Sequence, residues 1–176
     1  KFVKDVKHLY TNEELAVLMP TEANAKARSV EQPYMAVGSR LTDEATPNAD
    51  GDTIRWMDIV SQHDYTLIDF WASWCGPCMG EIPHLASLHA KYKDKGLSVV
   101  GVFVNDKKEN LLSTMEKKNM TWQQIYDIDN VVLDAYGIKG IPFIILFAPD
   151  GKIVSKDLRG KEMERFIDKL MNSGNN

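Results

Sequence analysis

At 176 residues the chain is long enough for one domain with an appendage, and for a core that needs no covalent staple. Hydrophobic residues make up 44% and charged residues 26%, an ordinary globular composition, while 21 Lys plus Arg against 25 Asp plus Glu leave a formal charge of −4. That acidity argues against a nucleic-acid partner, which needs a basic face, and no apolar run approaches the ~20 residues of a membrane-spanning helix.

Residues 1–35 are polar and are expected to form a helical N-terminal extension, or the end of a preceding domain. Phe2, Val3, Val6, Leu9 and Tyr10 follow helical spacing, and Thr11-Asn12-Glu13-Glu14 is a capping-box pattern ahead of Leu15, Leu18 and Met19. The start at Lys1 rather than Met is read as a processed or trimmed terminus, so the absence of a targeting or anchoring segment decides nothing about compartment. From residue 36 the pattern changes. Ala36–Asp43 and Asp52–Trp56 are expected to be short strands about the turn Pro47-Asn48-Ala49-Asp50-Gly51, and Met57–Val60 a single helical turn.

The main alternation starts at Tyr65. Thr66–Trp71 reads as a buried strand, Gly76–Lys93 as a helix, and Leu97–Val104 as a second buried strand. Lys107–Lys118 is amphipathic, with Leu111, Leu112 and Met115 expected inward, and Asn130–Tyr136 is a short helix ended by Gly137. Phe143–Phe147 is a third buried strand, turned by Asp150-Gly151 into Lys152–Asp157. Glu162–Met171 closes the chain as a helix with Met163, Phe166, Ile167 and Leu170 inward, ahead of a frayed tail at 173–176. The order predicts an α/β fold, a mixed central sheet flanked by helices over residues 36–172. Trp56 and Trp122 are expected in the core.

The chain has two cysteines, and both lie in Cys75-Gly76-Pro77-Cys78. A stapled fold scatters its cysteines, so a pair within one turn reads as a redox or a metal pair. The strand running into the motif and the helix leaving it put Cys75 at a helix N-terminus, where free amides and the macrodipole favour a thiolate. Cys75 is then the attacking thiol, and Cys78, one turn further in, the resolving one. Gly76 and Pro77 suit a tight bridge at a helix start. For a metal site the remaining ligands would be histidines. His84 lies about 600° past Cys78 and so roughly 120° off its face, and His89 is turned about 140° from His84, so they do not converge and no metal is expected.

Asp69-Phe70-Trp71-Ala72-Ser73-Trp74-Cys75-Gly76-Pro77-Cys78 resembles the active-site segment of the thioredoxin superfamily, and Cys78-Met79-Gly80-Glu81 with Ile82-Pro83 resembles its extracytoplasmic TlpA-like branch. Gly140-Ile141-Pro142 is similar to the family's cis-proline loop, and Asp150-Gly151-Lys152 to its hairpin turn. The resemblance implies a thioredoxin-like fold, with Pro142 cis against the disulfide and the Ile141 backbone pairing with an extended substrate segment. A proline that merely opens a strand is the plainer reading of Pro142. Asp69, an acid in an apolar strand, would take the proton of the resolving cysteine, unless it is a capping or edge residue. Glu81 is open between two readings: an acceptor of the Cys78 proton, instead of Asp69 or together with it, or a first-turn acid complementing its helix dipole. Trp74 would form an apolar rim for substrate, and Trp71 would pack beneath the site.

Two departures from the superfamily pattern stand out. Gly101-Val102-Phe103-Val104 offers no lysine beside Asp69, and Phe143 follows Pro142 in place of a threonine. The implied function is reduction of protein disulfides without a cofactor. Its partners would be protein disulfide substrates, oxidised apocytochrome and other envelope thiols among them, and an upstream thiol donor. A membrane would be involved only through a removed anchor. The implied location is the periplasm or cell envelope, with the cytoplasm left open. A peroxiredoxin-type peroxidase lacks its Pro-x-x-x-Thr/Ser-x-x-Cys motif here, since Ala72 and Ile68 stand at the required positions. A binding module with vestigial thiols remains the non-enzymatic alternative.

Overall fold

The computed structural model describes residues 36–41, 45–47 and 52–173, so the expected N-terminal helices lie outside the described residues. Ala45–Pro47 (β1) pairs antiparallel with Thr53–Arg55 (β2), and Trp56–Val60 forms a short helix (α1). Then follow Tyr65–Trp71 (β3), Gly76–Tyr92 (α2), Leu97–Phe103 (β4), Lys108–Lys118 (α3) and Gln123–Tyr126 (β5). A 3-10 turn at Ile128–Asn130 leads into Val131–Ala135 (α4), Phe143–Phe147 (β6), Ile153–Lys156 (β7) and Gly160–Ser173 (α5).

Five strands form one sheet in the order β5-β4-β3-β6-β7. The β3–β4 and β4–β5 pairs are parallel, and β3–β6 and β6–β7 are antiparallel. The apolar runs of β3, β4 and β6 take the three central places because only there does a helix layer cover both faces. Alternation along β3 sends Leu67 and Trp71 into a cluster with Ile82, Leu85, Phe166 and Ile167 of α2 and α5. Ile68 and Phe70 enter the opposite cluster with Trp56 and Val60 of α1 and Val132 and Leu133 of α4. Each such buried side chain stabilises the fold by about 1.5–3 kcal/mol. Trp56 and Trp122 are buried, and Trp56 packs edge-on against Tyr136 at 6.5 Å.

Several local expectations need correction. Residues 36–41 do not form the first arm of the N-terminal hairpin. Gly38 turns the chain at φ 91, and the amides of Gly38 and Leu41 bond the carbonyls of Ile153 and Gly151. These backbone groups are satisfied by the β6–β7 hairpin, so β2 pairs instead with 45–47, where Pro47 sits in a two-stranded sheet made only of edges. Trp56 opens α1 rather than ending a strand. Leu112 is 57% exposed, because Leu111 takes the inward position of α3. The strand β5 was not expected. It has four residues, begins Gln-Gln, and buries only Ile125. The closing helix runs through Ser173, and residues 174–176 of the expected tail lie outside the described residues.

Candidate active site

The sheet delivers Cys75 at the C-terminal end of β3, and the chain turns there into α2. Cys75 is the N-cap of α2, with φ −83 and ψ 101, and its Sγ accepts the Cys78 amide at 3.2 Å. The two cysteines form a disulfide with Cα atoms 5.2 Å apart. Pro77 lies in the first turn, where its missing N–H is no loss, and Gly76 faces open space. Cys75 is 4% exposed and Cys78 is fully buried, so the first sulfur is the one nearer to solvent. The Gly76 and Cys78 amides at this helix start, together with the dipole, stabilise negative charge on Cys75 once the bridge is reduced.

The loop ahead of the pair is clamped from the β4–α3 connection. Asp106 Oδ2 accepts both the amide of Ser73, at 2.9 Å, and its hydroxyl. The other oxygen of Asp106 accepts from the Lys107 amide and from Asn110 Nδ2, each at 2.7 Å. These bonds hold the Asp106 carboxyl below the ordinary carboxylate range, although burial opposes them. Trp74 Nε1 donates to the Asn105 carbonyl at 3.0 Å, and Asn105 is itself fastened by a reciprocal pair of bonds with Asn130. Trp74 is 63% exposed, an indole held by its polar edge with its apolar face in water. Trp71 lies beneath, fully buried, edge-on to Phe103 at 4.7 Å and donating to Gln124 Oε1 at 2.9 Å. Gly101 leaves the room for that contact, since a Cβ there would stand 2.0 Å from Gln124 Oε1.

Asp69 is buried in the middle of β3, in register with Gly101 on one side and Ile144 on the other. Alternation puts it on the face of Leu67 and Trp71, the face covered by α2. Neither carboxyl oxygen has a hydrogen-bond partner among the described residues. Burial pushes its pKa up to about 8; the Arg159 guanidinium pulls it down, and the Glu81 carboxylate adds to the rise. The cation absent from β4 is therefore supplied by the β7–α5 connection, which the sequence alone gave no reason to place here.

Glu81 stands in the second turn of α2, and its Oε2 accepts the Gly160 amide at 2.8 Å. It thus complements the N-terminus of α5, not that of its own helix. The Ile141–Pro142 bond is cis, Pro142 is buried and Ile141 half-buried. The Pro142 carbonyl accepts from Arg159 Nη2. The histidines weighed as ligands are engaged elsewhere: His84 with Glu164 at 3.1 Å, and His89 beside the Trp122 ring at 5.9 Å. Among the described residues no group of three or more His, Cys, Asp or Glu could hold a metal ion, and no helix is long and apolar enough to cross a membrane.

Known proteins are similar to this chain in sequence and fold. Thiol-disulfide oxidoreductase ResA of Bacillus subtilis is 30% identical over 135 residues, covering 77% of this chain and 74% of the relative. The protein of the same name from Geobacillus thermodenitrificans is 29% identical, covering 70% of each. Among solved structures, the thioredoxin domain of a thiol-disulfide oxidoreductase from Bacteroides vulgatus matches with TM-score 0.69 and 33% identity, over 78% of this chain and 99% of that one. A thiol:disulfide interchange protein from Bacteroides sp. matches with TM-score 0.68 and 33% identity, over 78% and 91%. Fold, Cys pair and relatives together define a thiol–disulfide oxidoreductase of thioredoxin-like fold. The family model described as AhpC/TSA matches residues 37–156, and the chain belongs to that family.

Proposed function

We propose that the chain is a protein-disulfide reductase of the cell envelope, in which Cys75 attacks and Cys78 resolves. The observation that carries this reading is the position of Cys75 as N-cap of α2, its sulfur on the Cys78 amide, at the end of the strand that holds the buried Asp69, whose carboxyl oxygens have no hydrogen-bond partner among the described residues. The reduced Cys75 thiolate attacks one sulfur of a substrate disulfide. The substrate S–S bond breaks, a mixed disulfide forms, and the departing substrate sulfur takes up a proton. Cys78 then loses its proton to the ionised form of Asp69, with Glu81 as the second carboxylate of the site, and attacks Cys75 Sγ. The mixed bond breaks, the second substrate sulfur leaves and takes up a proton, and two electrons have passed from enzyme to substrate. A dithiol donor protein returns the Cys75–Cys78 bridge to the reduced state.

The Ile141 backbone, ahead of buried Pro142, pairs with an extended substrate segment, and the exposed Trp74 face, with Gly76 and Pro77, forms the opposite wall. The extracytoplasmic assignment rests on the likeness of Cys78-Met79-Gly80-Glu81 to the TlpA-like branch. The test is a trap. A Cys78→Ser protein, reduced and mixed with an oxidised disulfide-bearing peptide, accumulates a mixed disulfide at Cys75 that is visible by mass, and Cys75→Ser accumulates none. Equal trapping by both variants contradicts the assignment of roles.

A further inference from the structure

We propose that Arg159 is a positioning residue of this site, fixing the Pro142 carbonyl at the substrate-pairing edge, and that the same guanidinium acts electrostatically on Asp69. The proposal rests on the reading of Ile141–Pro142 as the substrate edge. Arg159 stands at the mouth of α5, its carbonyl accepting the Met163 amide at 2.9 Å. Its guanidinium spans three acceptors: Nη1 donates to the Leu158 carbonyl at 2.7 Å, while Nη2 meets the Pro142 carbonyl and lies 3.0 Å from Asp157 Oδ1. A surface ion pair with Asp157 is worth little, and alone it would not need the contact to Pro142. The two backbone acceptors belong to separate segments, the entry to β6 and the β7–α5 loop, which a rigid fork can hold in one geometry.

The next residue completes the link. The Gly160 amide donates to Glu81 Oε2 on α2. Arg159 and Gly160 therefore join the two walls of the redox centre, the Pro142 turn through the side chain and α2 through the backbone. Two charged groups act on Asp69: Glu81 from α2, and Arg159 from the β7–α5 loop. Within β4 the residue in register with Asp69 is Gly101, so no cation comes from that side. Among the described residues Arg159 is the one cation acting on Asp69, against the Glu81 carboxylate, and it also meets Asp157 and the turn where substrate pairs. Charge and hydrogen-bonding geometry can be separated by substitution, because lysine keeps the first and loses the fork.

The experiment uses the full chain as Arg159→Lys and Arg159→Gln. The Asp69 carboxyl is titrated by isotope-edited infrared spectroscopy, and KM and kcat are measured for a disulfide-bearing peptide. Arg159→Gln should move the Asp69 titration upward by about one pKa unit and raise KM several-fold. Arg159→Lys should leave the titration near that of the parent and still raise KM. A titration in Arg159→Gln that coincides with the parent's, or an unchanged KM in either variant, overturns the proposal. If Arg159→Gln does not fold, Arg159→Lys decides: a raised KM with an unmoved titration supports the proposal, and an unchanged KM or a displaced titration overturns it. If the parent reduces no disulfide at all, it is the reductase reading that fails, and the Asp69 titration alone then decides the role of Arg159.

Discussion

At Asp69 a carboxyl group is buried and, among the described residues, has no hydrogen-bond donor, so its neutral form is favoured and its pKa is pushed up to about 8. The unfolded chain releases this proton near 3.8, and the folded chain keeps it until about 8. Folding therefore takes up a proton between these values. The contribution of Asp69 to stability is intact below about 4 and is lost as pH rises through the folded pKa. Asp69→Asn, whose side chain does not titrate, should gain on the parent progressively from pH 4 to pH 8 and no further above that. One pKa unit corresponds to about 1.4 kcal/mol, so even part of this shift gives a widening of about 2 kcal/mol, readable as a growing difference in Tm between the two oxidised proteins. A constant difference across that range would mean that Asp69 does not carry a raised pKa. The same variant should lose the rise in mixed-disulfide resolution rate that the parent shows towards pH 8, since the acceptor of the Cys78 proton is gone.

Elements bring to the cysteines what the local sequence does not contain. The Asp106 carboxylate joins the β4–α3 loop to Ser73, and Asn105 carries the Trp74 indole. Asp106→Ala leaves the Ser73, Lys107 and Asn110 donors without this partner, at a cost of about 1–3 kcal/mol. It should lower Tm and raise KM for peptide disulfides more than it lowers kcat, because the Trp74 wall loses its support while the thiols keep theirs. An unchanged KM would show that the clamp does not reach the substrate. The long elements β3, β4, β6, α2 and α5 were legible because apolar run and helical period agree over many residues. Short ones were not. Four residues of β5 contribute one buried side chain, and the turn and single bridge at 36–41 take their partners from a distant hairpin. Leu112 illustrates the limit of periodicity: two adjacent leucines leave the inward one undecided until the helix is docked.

For the molecule as a whole, the sheet order puts β3 at the centre, so the residues at its end emerge between helices on one side and the Pro142 turn on the other. What was contiguous in sequence could be read there: Cys75 and Cys78 with their helix, and the cis bond before Pro142. What tertiary structure assembles could not. Arg159, Asp106 and Gln124 come from three separate connections or strands, and each is an ordinary polar residue in its own neighbourhood. The proposed reductase depends on a buried, tuned dithiol that donates electrons. Its most direct test is the reduction potential of the Cys75–Cys78 pair, measured by equilibration with thiol buffers, alkylation and mass spectrometry. A reductase predicts a value near about −270 mV or lower, and a value near about −120 mV would contradict it and make the pair an oxidant.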